Sequence, residues 1–183
     1  RVIKAKEEDG RYQNLRRHFG SKCGEKFFYF FQGQALFVLF FSIPFFIVST
    51  NLSPGLVVWD FLAIAIWSIA IVGEWISDKQ LASFRSNEVS KETVCKKGLW
   101  KYSRHPNYFF EWLHWWSYVA LSVGSPLWWL ALIGPIAMWY CLWKVTGIPY
   151  TEVQALKSRG DAYRVYQKTT SPFFPWFPKE STE

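Results

Sequence analysis

The sequence predicts an all-α, multi-span helical membrane protein: four transmembrane helices in two hairpins, followed by a cytoplasmic amphipathic tail. Three observations predict it. Half of the 183 residues are hydrophobic and 21% are aromatic, with 12 Trp, a heavy load for a soluble chain of this size. Four apolar runs are long enough, or nearly so, to cross a bilayer, which takes roughly 20 helical residues. All 21 Lys and Arg fall in residues 1–26, 79–104 and 144–179, and none falls in the two short linkers within the hairpins. A soluble Trp-rich bundle does not readily produce that asymmetry. The mean hydropathy of −0.01 is low for a membrane protein because common scales score Trp and Tyr as mildly polar and the charged segments dilute it.

In chain order, residues 1–26 form a basic, interfacial segment in which Tyr12, Leu15 and Phe19 recur at helical spacing. Residues 27–49 form the first span, with Pro44 inside it as a potential kink. Residues 55–76 form the second, set off by the turn-forming NLSP. Residues 107–123 form a short, Trp-rich third span, and residues 125–147 a fourth containing Pro135. Residues 148–183 form the tail, where Gly160 interrupts an amphipathic stretch and TSPFFPWFP turns the chain back towards the interface. Lys and Arg concentrate on the cytoplasmic side of membrane proteins, so the N-terminus, the middle loop and the tail are all expected there. Residues 27–147 with their flanks read as one membrane domain. The chain begins at Arg1 without Met, which suggests the C-terminal part of a longer protein.

The charge of +7 is accounted for by membrane orientation, so nucleic-acid binding is not expected. Cys23, Cys95 and Cys141 fit no CxxC spacing, which argues against a disulfide framework and against a zinc site; no metal is expected.

Polar residues inside the apolar runs carry the functional signal. A carboxylate near a bilayer is costly and calls for a polar cavity. Glu74, Asp78 and Arg85 stand at i, i+4 and i+11, within about 40° of one another on a helix. Asn107, Glu111, His114 and Tyr118 repeat that arrangement behind Pro106, which suits a first helical turn because its missing N–H needs no partner there. Arg104 and His105 precede this helix start, and Lys96, Lys97 and Lys101 surround it. A helix N-terminus beside cations is a natural anion site. The plain alternative, a basic flank anchoring a helix, explains the lysines but not the Asn–Glu stripe. His114 alone is as readily a packing residue. Carboxylates, an amide and arginines around one cavity suit a large polar ligand with phosphates and hydroxyls, such as a nucleotide cofactor.

The blocks DGRYQNLRRHFG with FFQGQ, EWISDKQLASFR, and KKGLWKYSRHPNYFFEW with LKSRGDAYRVYQKTTSPFFPW together resemble the steroid 5-alpha-reductase and sterol-reductase-like membrane enzymes, in particular their poorly characterised branch. RHPNY by itself is shared with isoprenylcysteine carboxyl methyltransferases; EWISDKQLASFR is the more specific block. The resemblance implies an NADPH-dependent reductase of an enone or similar activated double bond in a hydrophobic, steroid- or lipid-like substrate. It implies cofactor contacts from Glu74, Asp78, Arg85, Arg104, His105, Asn107, Glu111 and Glu152, with Tyr102 and Tyr163 as weaker candidates. Two departures stand out. Phe110 occupies a position where relatives carry glycine, which would narrow the pocket. KETVCKKGL lacks the Tyr–Arg pair of steroid-type relatives. The family's further N-terminal helices, with its proton donor, are not in this sequence, so no catalytic residue is assigned. Two other functions stay open: a methyltransferase using S-adenosylmethionine, and a non-enzymatic lipid-binding membrane module. The expected location is multi-pass, in the endoplasmic reticulum of a eukaryote or the inner membrane of a bacterium.

Overall fold

The structure is a computed structural model that describes residues 10–87 and 93–179, and every described element is helical, with no strand among the described residues. Three stretches are long and apolar enough to cross a membrane: Leu15–Ser49, Val58–Asn87 and Trp128–Thr169. This is the pattern of an integral membrane protein. The third expected span forms a helix of only 17 residues, Pro106–Ser122, and is not among them.

Contacts divide the chain into two compact units, Arg1–Ser42 and Ile43–Glu183. In the first, α1 (Gly10–Phe19) and α2 (Cys23–Phe41) are joined by a short turn at Gly20–Lys22. Gly20 has φ +58°, a left-handed conformation that glycine adopts without steric penalty. The reversal brings the Tyr12 ring against Phe27, Phe30 and Phe31. The Arg16 guanidinium lies 5.3 Å from the centre of the Phe27 ring. The expected interfacial segment is therefore, from Gly10 on, a helix folded back along α2 through its aromatic stripe; residues 1–9 lie outside the described residues.

The second unit comprises α3 (Ile43–Ser49), α4 (Val58–Asn87), α5 (Pro106–Ser122), α6 (Ile133–Tyr140) and α7 (Ile148–Thr169). The helical course expected over 27–49 breaks at Ser42, two residues before Pro44. α4 is 30 residues long and runs well past the expected end of its span at 76. Its buried residues are Ala63, Ala70, Gly73 and Ser77. Small side chains let helix backbones approach closely in a membrane, where burial against lipid offers little driving force. Gly73 shows this directly: a Cβ there would collide with the Phe110 ring of α5.

Residues 125–147 do not form one uniform helix. A tight turn at Trp128–Leu132 leads into α6, and a wide π-type turn at Cys141–Val145 leads out of it. Two apolar clusters anchor this part. Ile47, Val119 and Ala131 join α3 and α5 to the 128–132 turn. Leu142, Ile148 and fully buried Phe173 gather Tyr108, Phe109, Trp112, Met138 and Trp143 around the returning tail. The two linkers without Lys or Arg meet at one end of the unit. Asn51 Nδ2 donates to the Leu121 and Val123 carbonyls at 3.0 and 3.2 Å, satisfying acceptors at the C-terminus of α5. Ser125 Oγ donates to the Ile47 carbonyl.

Candidate functional site

The RHPNY segment is held by the returning tail. The Arg104 backbone N–H donates to the Ser171 carbonyl at 2.8 Å, Trp176 N–H donates to the Tyr102 carbonyl at 2.9 Å, and Ser103 Oγ donates to the Phe173 carbonyl at 2.8 Å. His105 precedes α5, its backbone N–H donating to Ser103 Oγ at 3.1 Å, and Pro106 takes the first helical position as its spacing predicts. On the other side the segment is fastened to α4: Trp100 Nε1 donates to the Ser77 carbonyl at 2.9 Å, and Gln80 Oε1 accepts from Leu99 N–H at 3.0 Å.

Arg104 does not offer its charge to the mouth of α5. Its side chain is 9% exposed. Nε and Nη2 lie 2.8 and 2.7 Å from Glu152 Oε1, and Nη1 donates to the Gln167 and Thr170 carbonyls. Glu152 also accepts from Gln167 Nε2 at 2.8 Å and lies 3.3 Å from His105 Nε2. Burial lowers the His105 pKa below its ordinary value, and the hydrogen bond to Glu152 only partly opposes that shift. Its ring stacks on Tyr108 at 5.4 Å. α7 is kinked at Gly160, φ +52°, so Glu152 sits before the kink and Gln167 and Thr170 after it. Arg104 therefore clamps both halves of the bent helix to the start of α5. At this helix start, where an anion site is expected, the Arg104 charge is matched by Glu152.

A cavity of about 700 Å³ opens beside that cluster. α4 supplies Asp78, Leu81, Phe84 and Arg85; the connection to α5 supplies Val94, Cys95 and Trp100; α7 supplies Thr151, Gln154 and Arg159, with Tyr163 and Tyr166 behind. Of the residues the sequence singles out, Asp78, Arg85, Arg104, His105 and Asn107 line it, whereas Glu74, Glu111 and Glu152 do not. Asn107 Nδ2 donates to Asp78 Oδ1 at 3.1 Å, joining α5 to α4 at the cavity edge. Glu74 and Glu111 stand close enough to each other and to Asp78 for their charges to interact. Tyr163 lines the cavity; Tyr102 does not, its ring resting against Phe177 at 5.9 Å. Phe110 packs on Gly73 and is absent from the cavity wall. His114 Nε2 lies 3.0 Å from Tyr118 Oη, one turn apart. Lys91 and Glu92 of the KETVCKKGL stretch lie outside the described residues.

Sequence reasoning missed Arg159 and Cys95. Arg159 stands seven residues after Glu152, two helical turns on the same face, as Arg85 stands seven after Asp78. That parallel was available in the sequence. Cys95 is buried in the cavity wall among Lys97, Arg159 and Arg85, and burial raises its thiol pKa.

A family model described as protein of unknown function (DUF1295) matches residues 1–170. No curated protein and no solved structure matches the chain.

Proposed function

The chain belongs to the DUF1295 family, and we propose that it is a membrane reductase that binds NADPH in the cavity between α4 and α7. The observation that carries this reading is the cavity itself. Its volume, about 700 Å³, lies within the roughly 300–1,000 Å³ of small-molecule and cofactor sites. Its polar residues are of two kinds, as a phosphate-bearing dinucleotide requires. Asp78 and Asn107 offer acceptors and a donor for hydroxyl or carboxamide groups. Arg85 offers a guanidinium fork for phosphate oxygens. The resemblance of EWISDKQLASFR and RHPNYFFE to sterol-reductase-like enzymes suggests the chemistry: NADPH held there would supply the hydride for reduction of an activated C=C bond in an apolar substrate.

In this reading the chain's own residues bind and orient. Asp78, fixed by Asn107, takes hydrogen-bond donors of the ligand. The Arg104–Glu152–His105 cluster holds α5 and the bent α7 in place, and the aromatic wall of Tyr108, Trp100 and Tyr166 keeps the pocket narrow. The basic end faces the cytoplasm and α5 makes a fourth crossing, its 17 residues being at the short limit for a span.

The test is NADPH binding to wild type, Asp78→Ala and Arg85→Met. Weakened binding in the variants supports the assignment, and unchanged affinity in both sinks it. S-adenosylmethionine belongs in the same experiment. It carries no phosphate, and its one carboxylate would be the only anionic group it could offer the cavity's arginines.

A further inference from the structure

α5 carries a polar pair at its middle, away from the cavity. His114 stands near the centre of the 17-residue helix and Tyr118 one turn further on. Their side chains meet, Nε2 to Oη at 3.0 Å, with ring centres 5.3 Å apart. Aromatic rings flank them: Phe45 of α3 lies 4.5 Å and Trp115 5.8 Å from the Tyr118 ring, centre to centre. Both residues are half-buried, so the pair is not sealed inside the protein.

The bond between them leaves a donor over. A neutral imidazole has one N–H and a phenol one O–H, and a single bond uses one of the two. If Nε2 accepts, Nδ1–H is left; if Nε2 donates, the phenol O–H is left. Neither side chain has another hydrogen-bond partner among the described residues. With α5 crossing the bilayer, that donor stands at a depth where no bulk water meets it, and polar side chains placed there mark ligand pathways. A packing role needs no such donor, because Phe or Leu fills the same space without one. The pair also continues a stripe that begins at the cavity. Asn107 lines the cavity, and His114 and Tyr118 follow it at seven and eleven residues, about 10 and 16 Å along the helix axis.

We propose that the His114–Tyr118 pair recognises an oxygen of the apolar substrate, a carbonyl or hydroxyl remote from the bond that is reduced. This rests on the reductase reading, which puts the reacting bond at the Asn107 end of α5. It goes beyond that reading by naming the substrate class: an elongated apolar molecule with oxygen functions at both ends, about 10–16 Å apart to match the stripe. The spare donor meets the distal oxygen, so a substrate that lacks it leaves the donor unmet and binds less well.

The experiment titrates two steroids into the detergent-purified full chain: androst-4-ene-3,17-dione, with a ketone at each end, and androst-4-en-3-one, which lacks the distal ketone. The proteins are wild type, Tyr118→Phe and the double variant His114→Phe/Tyr118→Phe, which keeps two rings and removes both donors. Unfolding temperatures without ligand report whether each variant is folded. The wild type binds the dione roughly 5–100-fold more tightly, the range for leaving one buried hydrogen-bonding group unmet. The double variant binds the two steroids equally. Tyr118→Phe lowers the preference and decides the case if the double variant does not fold. Equal binding of both steroids to the wild type, a preference that survives in the variants, or binding of neither steroid overturns the proposal. Stabilisation by NADPH, read on the same samples, reports on the reductase reading separately. Its absence with the preference retained removes that reading and leaves the oxygen site; its presence with no preference does the reverse.

Discussion

Removing either partner of the Arg104–Glu152 pair is expected to destabilise the protein strongly. Glu152→Ala leaves a guanidinium that is 9% exposed without its carboxylate. Arg104→Met leaves Glu152 with Gln167, His105 and Tyr163 but no cation, and strips donors from the Gln167 and Thr170 carbonyls. Breaking a buried pair from one side costs about 3–5 kcal/mol. For a chain of this size each kcal/mol moves the unfolding midpoint by about 2–4 °C, so either single variant falls by about 6–20 °C. The double variant Arg104→Met/Glu152→Leu falls by clearly less than the sum, because neither charge is then left unpaired. Thermal unfolding in detergent micelles reads all three. If both single variants keep the wild-type midpoint to within about 2 °C and lose ligand binding instead, Arg104 is a ligand contact and its role as a clamp is refuted.

The helix contact at Gly73 predicts a suppressor: Gly73→Val drives a side chain into the Phe110 ring and lowers the unfolding midpoint, and Phe110→Ala in the same chain recovers part of the loss, as thermal unfolding of the single and double variants will show. His105 predicts a pH dependence. Its folded pKa is lowered by burial, so below about 6.5 the unfolded chain binds a proton that the folded chain resists, and stability is lost as pH falls through that value. Midpoints measured from pH 8 to pH 5 should therefore drop more steeply for the wild type than for His105→Gln; parallel curves would remove His105 from the account. Cys95 is buried with a raised pKa, so a maleimide should label it more slowly than the more accessible Cys23, and a cavity ligand should slow Cys95 further while leaving Cys23 unchanged.

The local features were legible because they follow from spacing and backbone chemistry. Pro106 opens α5, Gly160 bends α7, and the stripes from Asp78 and Asn107 meet across α4 and α5. The long-range pairings were not legible. Arg104 reads as an exposed cation at a helix start, yet it is consumed by Glu152, 48 positions away, through a fold that brings a bent α7 against α5. Phe110 reads as an obstruction in a pocket, yet its ring fills the space that Gly73 leaves 37 positions earlier. The run 125–147 carries no charge before Lys144, so hydropathy alone reads one helix; the turns on either side of α6 follow from packing of Ala131 and Leu142 into two separate clusters. Arg159 was hidden for a related reason. Its contacts Phe84 and Thr93 lie in α4 and in the connection after it, and the repeat of the seven-residue spacing in α7 was its trace in the sequence.

The central claim is that the cavity between α4 and α7 holds NADPH. The most direct measurement is thermal stabilisation of the detergent-purified chain by NADPH, NADH and S-adenosylmethionine in parallel, in wild type and in Asp78→Ala/Arg85→Met. A ligand at about 100 times its Kd adds about 2.7 kcal/mol, a shift of roughly 5–11 °C at this chain length. The account predicts a shift with NADPH that the double variant loses. A shift with S-adenosylmethionine alone, or an NADPH shift that survives in the double variant, would contradict it.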